Sequence, residues 1–209
     1  MRYAPLWIAG AIALMFVLQF LFGTERFLLD TAFMFERPWT IITAMFAHAD
    51  IVHLLSNLFS LLLFGLLLEG RIGSQKVLWL FIASGILVNL AMPFTAYERV
   101  LGASGAVFAL IGALLTLRPY MVIWLDFVPM PMIIAAILWI IQDILGVFYP
   151  AGVANIAHLA GLALGLSVGI YWRIQGFGDP LLRTRVHRGH RDAEIDAALD
   201  DYERDHGLR

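Results

Sequence analysis

The sequence contains no cysteine and few charged residues. Without cysteine, a disulfide framework, a thiolate metal ligand and a cysteine nucleophile are all excluded. Only 14% of the 209 residues are charged, whereas 61% are hydrophobic and the mean hydropathy is +0.82. The net charge of -2 at pH 7 gives no sign of a nucleic-acid partner. This composition is typical of a polytopic membrane protein whose main environment is the lipid bilayer.

Six apolar segments predict an all-α membrane protein with six transmembrane helices in residues 1–174, followed by a polar cytoplasmic tail at 175–209. The first segment could also belong to a secretory signal peptide. It is long enough to span a bilayer, however, and residues 23–26 lack a small-x-small cleavage site, so we expect it to remain as a helix. The segments lie near residues 6–22, 51–68, 77–95, 104–117, 121–141 and 153–172.

The fourth segment is unusually short. Its 14 residues make about 21 Å of helix, whereas the hydrocarbon core of a bilayer is about 30 Å thick. Ser104, the first residue of this helix, is therefore expected to lie below the membrane surface and not at it.

Two prolines, Pro129 and Pro131, interrupt the fifth segment. Each removes a backbone donor, so we expect this helix to kink or to begin late. Such a helix could be weakly tethered and move aside as a gate, or it could simply be irregular, which the sequence favours. Asp126 lies close to the predicted interface, where its carboxylate reaches water.

The lysine and arginine residues predict the orientation of the chain. Eleven of the 14 fall on one side of the predicted bundle and three on the other. Because cytoplasmic loops carry the excess of positive charge, both termini are expected in the cytoplasm. The Ser104 end of the short helix then opens toward the extracytoplasmic side.

Four polar side chains are predicted to lie at a similar depth. Counted from the arginine at the cytoplasmic end of each segment, Ser104, Asn57 and His158 are 14 or 15 residues away, about 21 to 22 Å. His53 lies one turn above Asn57 on the same helix face. A histidine inside a membrane is costly unless it is paired or lines a wet cavity, so we expect these groups to meet in a water-accessible cavity.

These four groups suit acyl-transfer chemistry. Ser104 can act as a nucleophile, with His158 as the general base that accepts the hydroxyl proton. Side-chain donors from His53 and Asn57, with the Ser104 amide, can form an oxyanion hole. The alternative for each residue is a hydrogen bond that only packs two helices together. No carboxylate falls at this depth in the predicted spans, so the sequence predicts a Ser-His dyad without an acidic third residue.

Small residues stand beside the predicted nucleophile and base. Gly161 and Gly165 are four residues apart, a spacing that lets a neighbouring backbone approach closely one turn from His158. Gly105 likewise removes bulk beside Ser104. We therefore expect the fourth and sixth helices to pack against each other.

Four motifs stand on these segments and their connections, and together they resemble those of the rhomboid family of intramembrane serine proteases over residues 39–165. The resemblance implies a six-helix rhomboid bundle that cleaves peptide bonds in or near the transmembrane segments of other membrane proteins, at small residues in helix-weakened stretches. It implies Ser104 as nucleophile, His158 as base, and oxyanion donors from the second helix, with no metal and no cofactor. The motifs are His53-Leu54-Leu55-Ser56-Asn57, Gly102-Ala103-Ser104-Gly105, Ala154-Asn155-Ile156-Ala157-His158 with Gly161, and Glu69-Gly70-Arg71-Ile72-Gly73-Ser74-Gln75-Lys76.

The chain also departs from the family pattern. Phe108 stands where many members have a tyrosine that stacks on the catalytic histidine, so stacking is expected without the hydroxyl. Trp39-Thr40 replaces a Trp-Arg pair, and Ala44 stands where some bacterial members have another histidine. The residues to which the resemblance gives supporting roles are Gly102, Gly105, Phe108, Asn155 and Gly161.

Two other functions compete with a protease. A catalytically inactive rhomboid-like protein would bind membrane clients, but such relatives typically lack the serine or the histidine, and both are present here. A transporter would be expected to have internal repeats and charged groups that reach both faces, which the sequence lacks. We therefore expect a multi-pass protease of a prokaryotic inner or plasma membrane that acts on transmembrane protein substrates.

Overall fold

The structure is a computed structural model that describes residues 3–125, 127–149 and 154–177, so most of the predicted tail at 175–209 lies outside the described residues. Helices dominate the described chain. Four of them, α1, α3, α4 and α7, are long and apolar enough to cross a membrane, and α5 and α6 are shorter apolar helices. The helices are α1 (Ala4–Phe22), α2 (Thr40–Thr43), α3 (Ile51–Ile72), α4 (Ser74–Ala91), α5 (Ser104–Leu117), α6 (Met132–Phe148) and α7 (Asn155–Trp172).

Helix α5 forms the centre of the bundle. Eleven of its 14 residues are buried, and it packs against α3, α4 and α7. A helix that is apolar on every side has no face suited to water, which explains why this segment is enclosed by the others. The predicted short fourth segment is thus confirmed in its position and length, and Ser104 is its first residue.

Glycines bring α7 unusually close to α5. A methyl group placed on Gly165 would lie 2.0 Å from the backbone oxygen of Ala109, and Gly161 faces the backbone of Gly105 in the same way. Because no side chain separates these backbones, the two helices make the most extensive contact in the bundle. The close packing expected from the glycine spacing is confirmed.

The segment between α1 and α3 is pinned to a distant part of the chain by a two-stranded antiparallel sheet. Strand β1 (Leu29–Asp30) pairs with β2 (Arg99–Val100), which directly precedes α5. An ion pair between Glu25 and Arg99 adds a second link at the same place. These contacts position the chain that leads into Ser104.

The fifth predicted segment, 121–141, is wrong in its extent. Its first part is an antiparallel hairpin of β3 (Val122–Leu125) and β4 (Val128–Pro131), and the helix begins only at Met132. The prolines Pro129 and Pro131 lack the N–H groups that a helix needs, so the late start expected from them is confirmed. The helix then continues to Phe148, seven residues past the predicted end. The other five segments each correspond to one helix, with ends that differ by at most four residues.

Helix α6 lies at the periphery of the bundle. It packs mainly on α7, and large apolar side chains such as Ile137 and Leu145 are exposed, as expected for a surface that faces lipid. Trp139 anchors it inward, since its ring lies edge-on to Phe64 at 5.6 Å and to Phe108 at 6.4 Å between ring centroids. These contacts hold α6 against α3 and α5.

Candidate active site

Ser104 begins α5 directly after a tight turn. Gly102 has a φ of 118°, which a residue with a side chain rarely adopts, and its N–H donates to the carbonyl of Ala44 at 2.8 Å. A methyl group on Gly102 would lie 2.8 Å from both Cε1 and Nε2 of His53. The absence of that side chain therefore lets the His53 ring lie against the turn that presents Ser104.

His158 lies in the first turn of α7 and reaches Ser104. The distance from His158 Nε2 to Ser104 Oγ is 2.8 Å, a normal hydrogen bond. The imidazole stacks on Phe108 with 4.4 Å between ring centroids and 5° between the planes, so the stacking expected of Phe108 is present. The His158 side chain is 13% exposed, which leaves the pair partly accessible.

A buried carboxylate contacts the other side of the imidazole. Asp143 Oδ1 lies 2.9 Å from His158 Nδ1 and accepts a hydrogen bond from Asn155 Nδ2 at 2.8 Å. The prediction that no carboxylate lies near the Ser-His pair is therefore wrong. It failed because α6 begins late and extends to Phe148, which brings Asp143 into the helix at the depth of His158.

His53 and Asn57 lie on one face of α3, as their spacing predicts. Asn57 is buried, and its Nδ2 donates to the backbone carbonyl of His53 at 2.9 Å. The N–H of His53 is capped by Asp50 at 2.8 Å, and the N–H of Ala49 donates to His53 Nδ1 over a long 3.5 Å. The ring of His53 is close to the Ser104 turn, whereas the Asn57 amide is engaged within its own helix. Their role as oxyanion donors stays a prediction.

The remaining predicted supporting residues lie around the pair. Gly161 and Gly105 form the closest approach of α7 to α5. Asn155 does not contact Ser104 or His158 by any hydrogen bond in the described chain, but holds Asp143. Among the described residues no group of three or more His, Asp or Glu side chains is arranged to hold a metal ion.

Sequence reasoning missed His48, which is almost fully buried beside His53. The two rings meet edge-on with 4.9 Å between centroids. Gln19 holds the backbone of His48 by two hydrogen bonds, accepting from its N–H at 2.8 Å and donating to its carbonyl at 3.0 Å. Burial, together with the nearby charge of His53, lowers the pKa of His48 to about 4. The sequence did contain a sign of this contact, because Gln19 is a polar residue near the end of an otherwise apolar helix.

Comparison with known proteins places this geometry in a family. The family model of the Rhomboid domain matches the sequence over residues 36–175, which is most of the described bundle. The chain belongs to the rhomboid family. It is therefore an integral membrane protein with the helical bundle of that family.

Rhomboids from plants and bacteria are similar to this rhomboid chain. RHOMBOID-like protein 6, mitochondrial, of Arabidopsis thaliana is 30% identical over 141 residues, which cover 67% of this chain and 45% of that protein. RHOMBOID-like protein 2 of the same plant is 30% identical over 158 residues, covering 75% of this chain and 49% of that protein. Rhomboid protease GlpG of Klebsiella pneumoniae is 31% identical over 176 residues, covering 77% and 60% respectively. This rhomboid chain thus spans about half the length of the relatives that it matches.

Proposed function

We propose that this rhomboid chain is an intramembrane serine endopeptidase that cleaves peptide bonds in or near the transmembrane segments of other membrane proteins. The observation that carries the proposal is the 2.8 Å contact between His158 Nε2 and Ser104 Oγ, from two different helices. A hydroxyl in reach of an imidazole nitrogen is the arrangement that nucleophilic catalysis needs. The relative named rhomboid protease GlpG supports the same assignment.

In the first step Ser104 Oγ attacks the carbonyl carbon of the scissile peptide, and a C–O bond forms. The hydroxyl proton passes to His158 Nε2, which later delivers it to the departing amine as the C–N bond breaks. Water then attacks the acyl-serine with His158 again as base, which releases the acid product and restores the hydroxyl. The stack on Phe108 holds the imidazole ring in one orientation during these transfers.

The negative charge on the carbonyl oxygen requires donors in place before reaction. The Ser104 amide lies at the N-terminus of α5, where the helix dipole favours negative charge. Since His53 Nδ1 accepts from the Ala49 N–H, the proton of a neutral His53 ring is on Nε2, the atom next to Gly102. We assign His53 Nε2–H and the Asn57 amide as side-chain donors to the oxyanion. Asn57 has a second N–H besides the one that it gives to the His53 carbonyl.

The site is proposed to open toward the extracytoplasmic side, with both termini in the cytoplasm. The sequence predicts eleven of the 14 lysine and arginine residues on the side of the bundle opposite Ser104, which supports this orientation. Substrates would be membrane proteins with small residues in stretches where the helix is weak, because an intact helix hides its carbonyl carbons from a nucleophile.

The competing proposal is an inactive rhomboid-like protein that binds membrane clients. A protein that only binds clients can lose the serine or the histidine. Here both side chains are present and in contact. A purified preparation of the full chain in liposomes distinguishes the two proposals. We expect cleavage of a model transmembrane substrate and labelling by a serine-reactive fluorophosphonate, both lost in Ser104→Ala. Undiminished cleavage by Ser104→Ala contradicts the protease assignment, and a wild-type chain that neither cleaves nor labels supports the client-binding protein.

A further inference from the structure

We propose that Asp143 is a positioning residue that fixes the tautomer and orientation of His158, so that the serine, the histidine and this carboxylate work as a triad. The inference rests on the proposed protease function and goes beyond the two-residue mechanism predicted from the sequence. It starts from two hydrogen bonds on one oxygen. Asp143 Oδ1 contacts His158 Nδ1 at 2.9 Å and Asn155 Nδ2 at 2.8 Å.

The direction of these bonds follows from donor chemistry. An Asn Nδ2 group can only donate, so Asp143 Oδ1 is the acceptor in its bond with Asn155. The same oxygen then accepts from His158 Nδ1–H, which places the ring proton on Nδ1. A neutral imidazole with its proton on Nδ1 has a free lone pair on Nε2, the atom that faces Ser104 Oγ at 2.8 Å. The other tautomer would present an N–H to the serine and could not accept its proton.

The setting of Asp143 argues against an incidental surface charge. Asp143 is 3% exposed and belongs to a helix that consists mostly of apolar residues. A carboxylate in such a membrane helix is costly and usually functional. The second carboxylate oxygen is buried without a hydrogen-bond partner among the described residues. A carboxylate that served only to link α6 to α7 would need no bond to the nitrogen opposite the nucleophile.

A glycine makes room for the partner that holds Asp143. Gly146 lies one turn after Asp143 on α6, and a methyl group there would be 2.4 Å from Asn155 Nδ2 and 2.6 Å from Asn155 Cγ. Asn155 therefore fits against the bare backbone of α6 and reaches back to the carboxylate. The hydrogen bond from Asn155 to Asp143 thus depends on three residues of two helices: Asp143, Gly146 and Asn155.

During catalysis the carboxylate acts without receiving a proton. When Ser104 Oγ attacks, its proton moves to His158 Nε2, and the ring becomes an imidazolium that carries protons on both nitrogens. Asp143 stabilises that positive charge through the bond to Nδ1, and the charge disappears when Nε2 gives its proton to the leaving amine. In serine proteases with this arrangement, loss of the carboxylate lowers kcat by about 10⁴-fold.

The experiment compares Asp143→Asn with wild type, Ser104→Ala and Gln142→Ala in the full chain in liposomes. Gln142→Ala is the matched control, because Gln142 is the exposed neighbour on the same helix. For Asp143→Asn we expect kcat to fall by about 10²- to 10⁴-fold with KM changed by less than about threefold. The rate of Ser104 phosphonylation per folded molecule should fall as well, with the melting temperature close to that of Gln142→Ala. Asp143→Glu should recover part of the lost rate, and Gly146→Ala, which displaces Asn155, should lose part of it.

Two outcomes overturn the inference. One is wild-type kcat in Asp143→Asn. The other is a loss of activity that matches the loss of folded protein, with the phosphonylation rate of each folded molecule unchanged, since that assigns a purely structural role. Phosphonylation needs no peptide substrate, so it tests Asp143 even where no cleavage is seen. A wild-type chain that labels at Asp143-dependent rates but cleaves nothing would contradict the protease function and leave the role of Asp143 intact.

Discussion

Gly161 of α7 lies directly against the backbone oxygen of Gly105 on α5, so that a methyl group at residue 161 would be 1.9 Å from that atom. No carbon atom can occupy that position, and the neighbour is backbone, which cannot swing away like a flexible side chain. The close approach lies next to Ser104 in the chain and one turn from His158. The spacing between the proposed nucleophile and base therefore depends on a glycine that takes no part in the proposed chemistry.

Gly161→Ala is expected to destabilise the bundle by about 1 to 3 kcal/mol or more, because α7 must move away from α5. It should also lower cleavage strongly, since the same movement lengthens the contact between His158 and Ser104. Denaturant unfolding in detergent micelles measures the first effect. Gly10→Ala is the control, because no atom lies within 4 Å of a methyl group there and alanine favours a helix. Equal stability of the two variants would contradict the prediction.

Phe108→Leu is expected to reduce kcat by about 2- to 12-fold, because aromatic stacking contributes about 0.5 to 1.5 kcal/mol beyond burial and orients the His158 ring. Phe108→Tyr keeps the ring and should stay near wild-type activity. The measurement is initial cleavage rate at saturating substrate for both variants. Leucine and tyrosine variants with the same rate would mean that the stack does not orient the base.

His53→Ala and Asn57→Ala are each expected to lower kcat by about 10²- to 10³-fold, the usual effect of removing one oxyanion donor. Ser56→Ala is the matched control on the same helix, because within the described part of the chain its exposed hydroxyl bonds only to the Val52 carbonyl of α3. Steady-state kinetics of the three variants checks the prediction. A fall in kcat for Asn57→Ala accompanied by an equal loss of folded protein would show instead that Asn57 acts through its bond to the His53 carbonyl.

The proximity of Ser104 and His158 could be predicted from the sequence, because the rise per residue of a helix gives the depth of each residue. Ser104 and His158 lie at similar counts from the arginines that end their helices, and the structure joins them at 2.8 Å. The same reasoning missed Asp143, because a depth counted in residues is correct only when the ends of the helix are known. Pro129 and Pro131 explain why α6 begins only at Met132, and the helix then runs to Phe148, so that Asp143 falls inside the span.

Contacts between distant, aperiodic segments could not be predicted in the same way. The pairing of Leu29 with Val100 joins two strands of two residues each, too short for any alternation of polar and apolar residues to be read. His48 lies between predicted spans, a position that hydropathy alone assigns to the surface. Its backbone is held by Gln19, which lies 29 residues earlier in the sequence.

His48 gives the protein a predicted dependence of stability on pH. Its ordinary pKa is 6.5, and burial, with the charge of nearby His53, lowers the pKa to about 4 in the folded protein. Above pH 6.5 the ring is neutral in both the folded and the unfolded chain, so the contribution of His48 to stability is fully present. As the pH falls from 6.5 toward 4, the unfolded chain binds a proton that the folded chain excludes, and that contribution is lost.

His48→Asn removes the titrating ring and can keep an N–H donor for the Phe46 carbonyl, which His48 Nδ1 contacts at 3.1 Å. We expect the free energy of unfolding of wild type, measured in detergent between pH 7 and 4.5, to fall more steeply than that of His48→Asn, by at most about 3 kcal/mol. The other titrating groups, Asp50 and His53 among them, are common to both chains, so the difference between the curves reports His48 together with its coupling to His53. Parallel curves across this range would mean that the buried imidazole accepts a proton without cost.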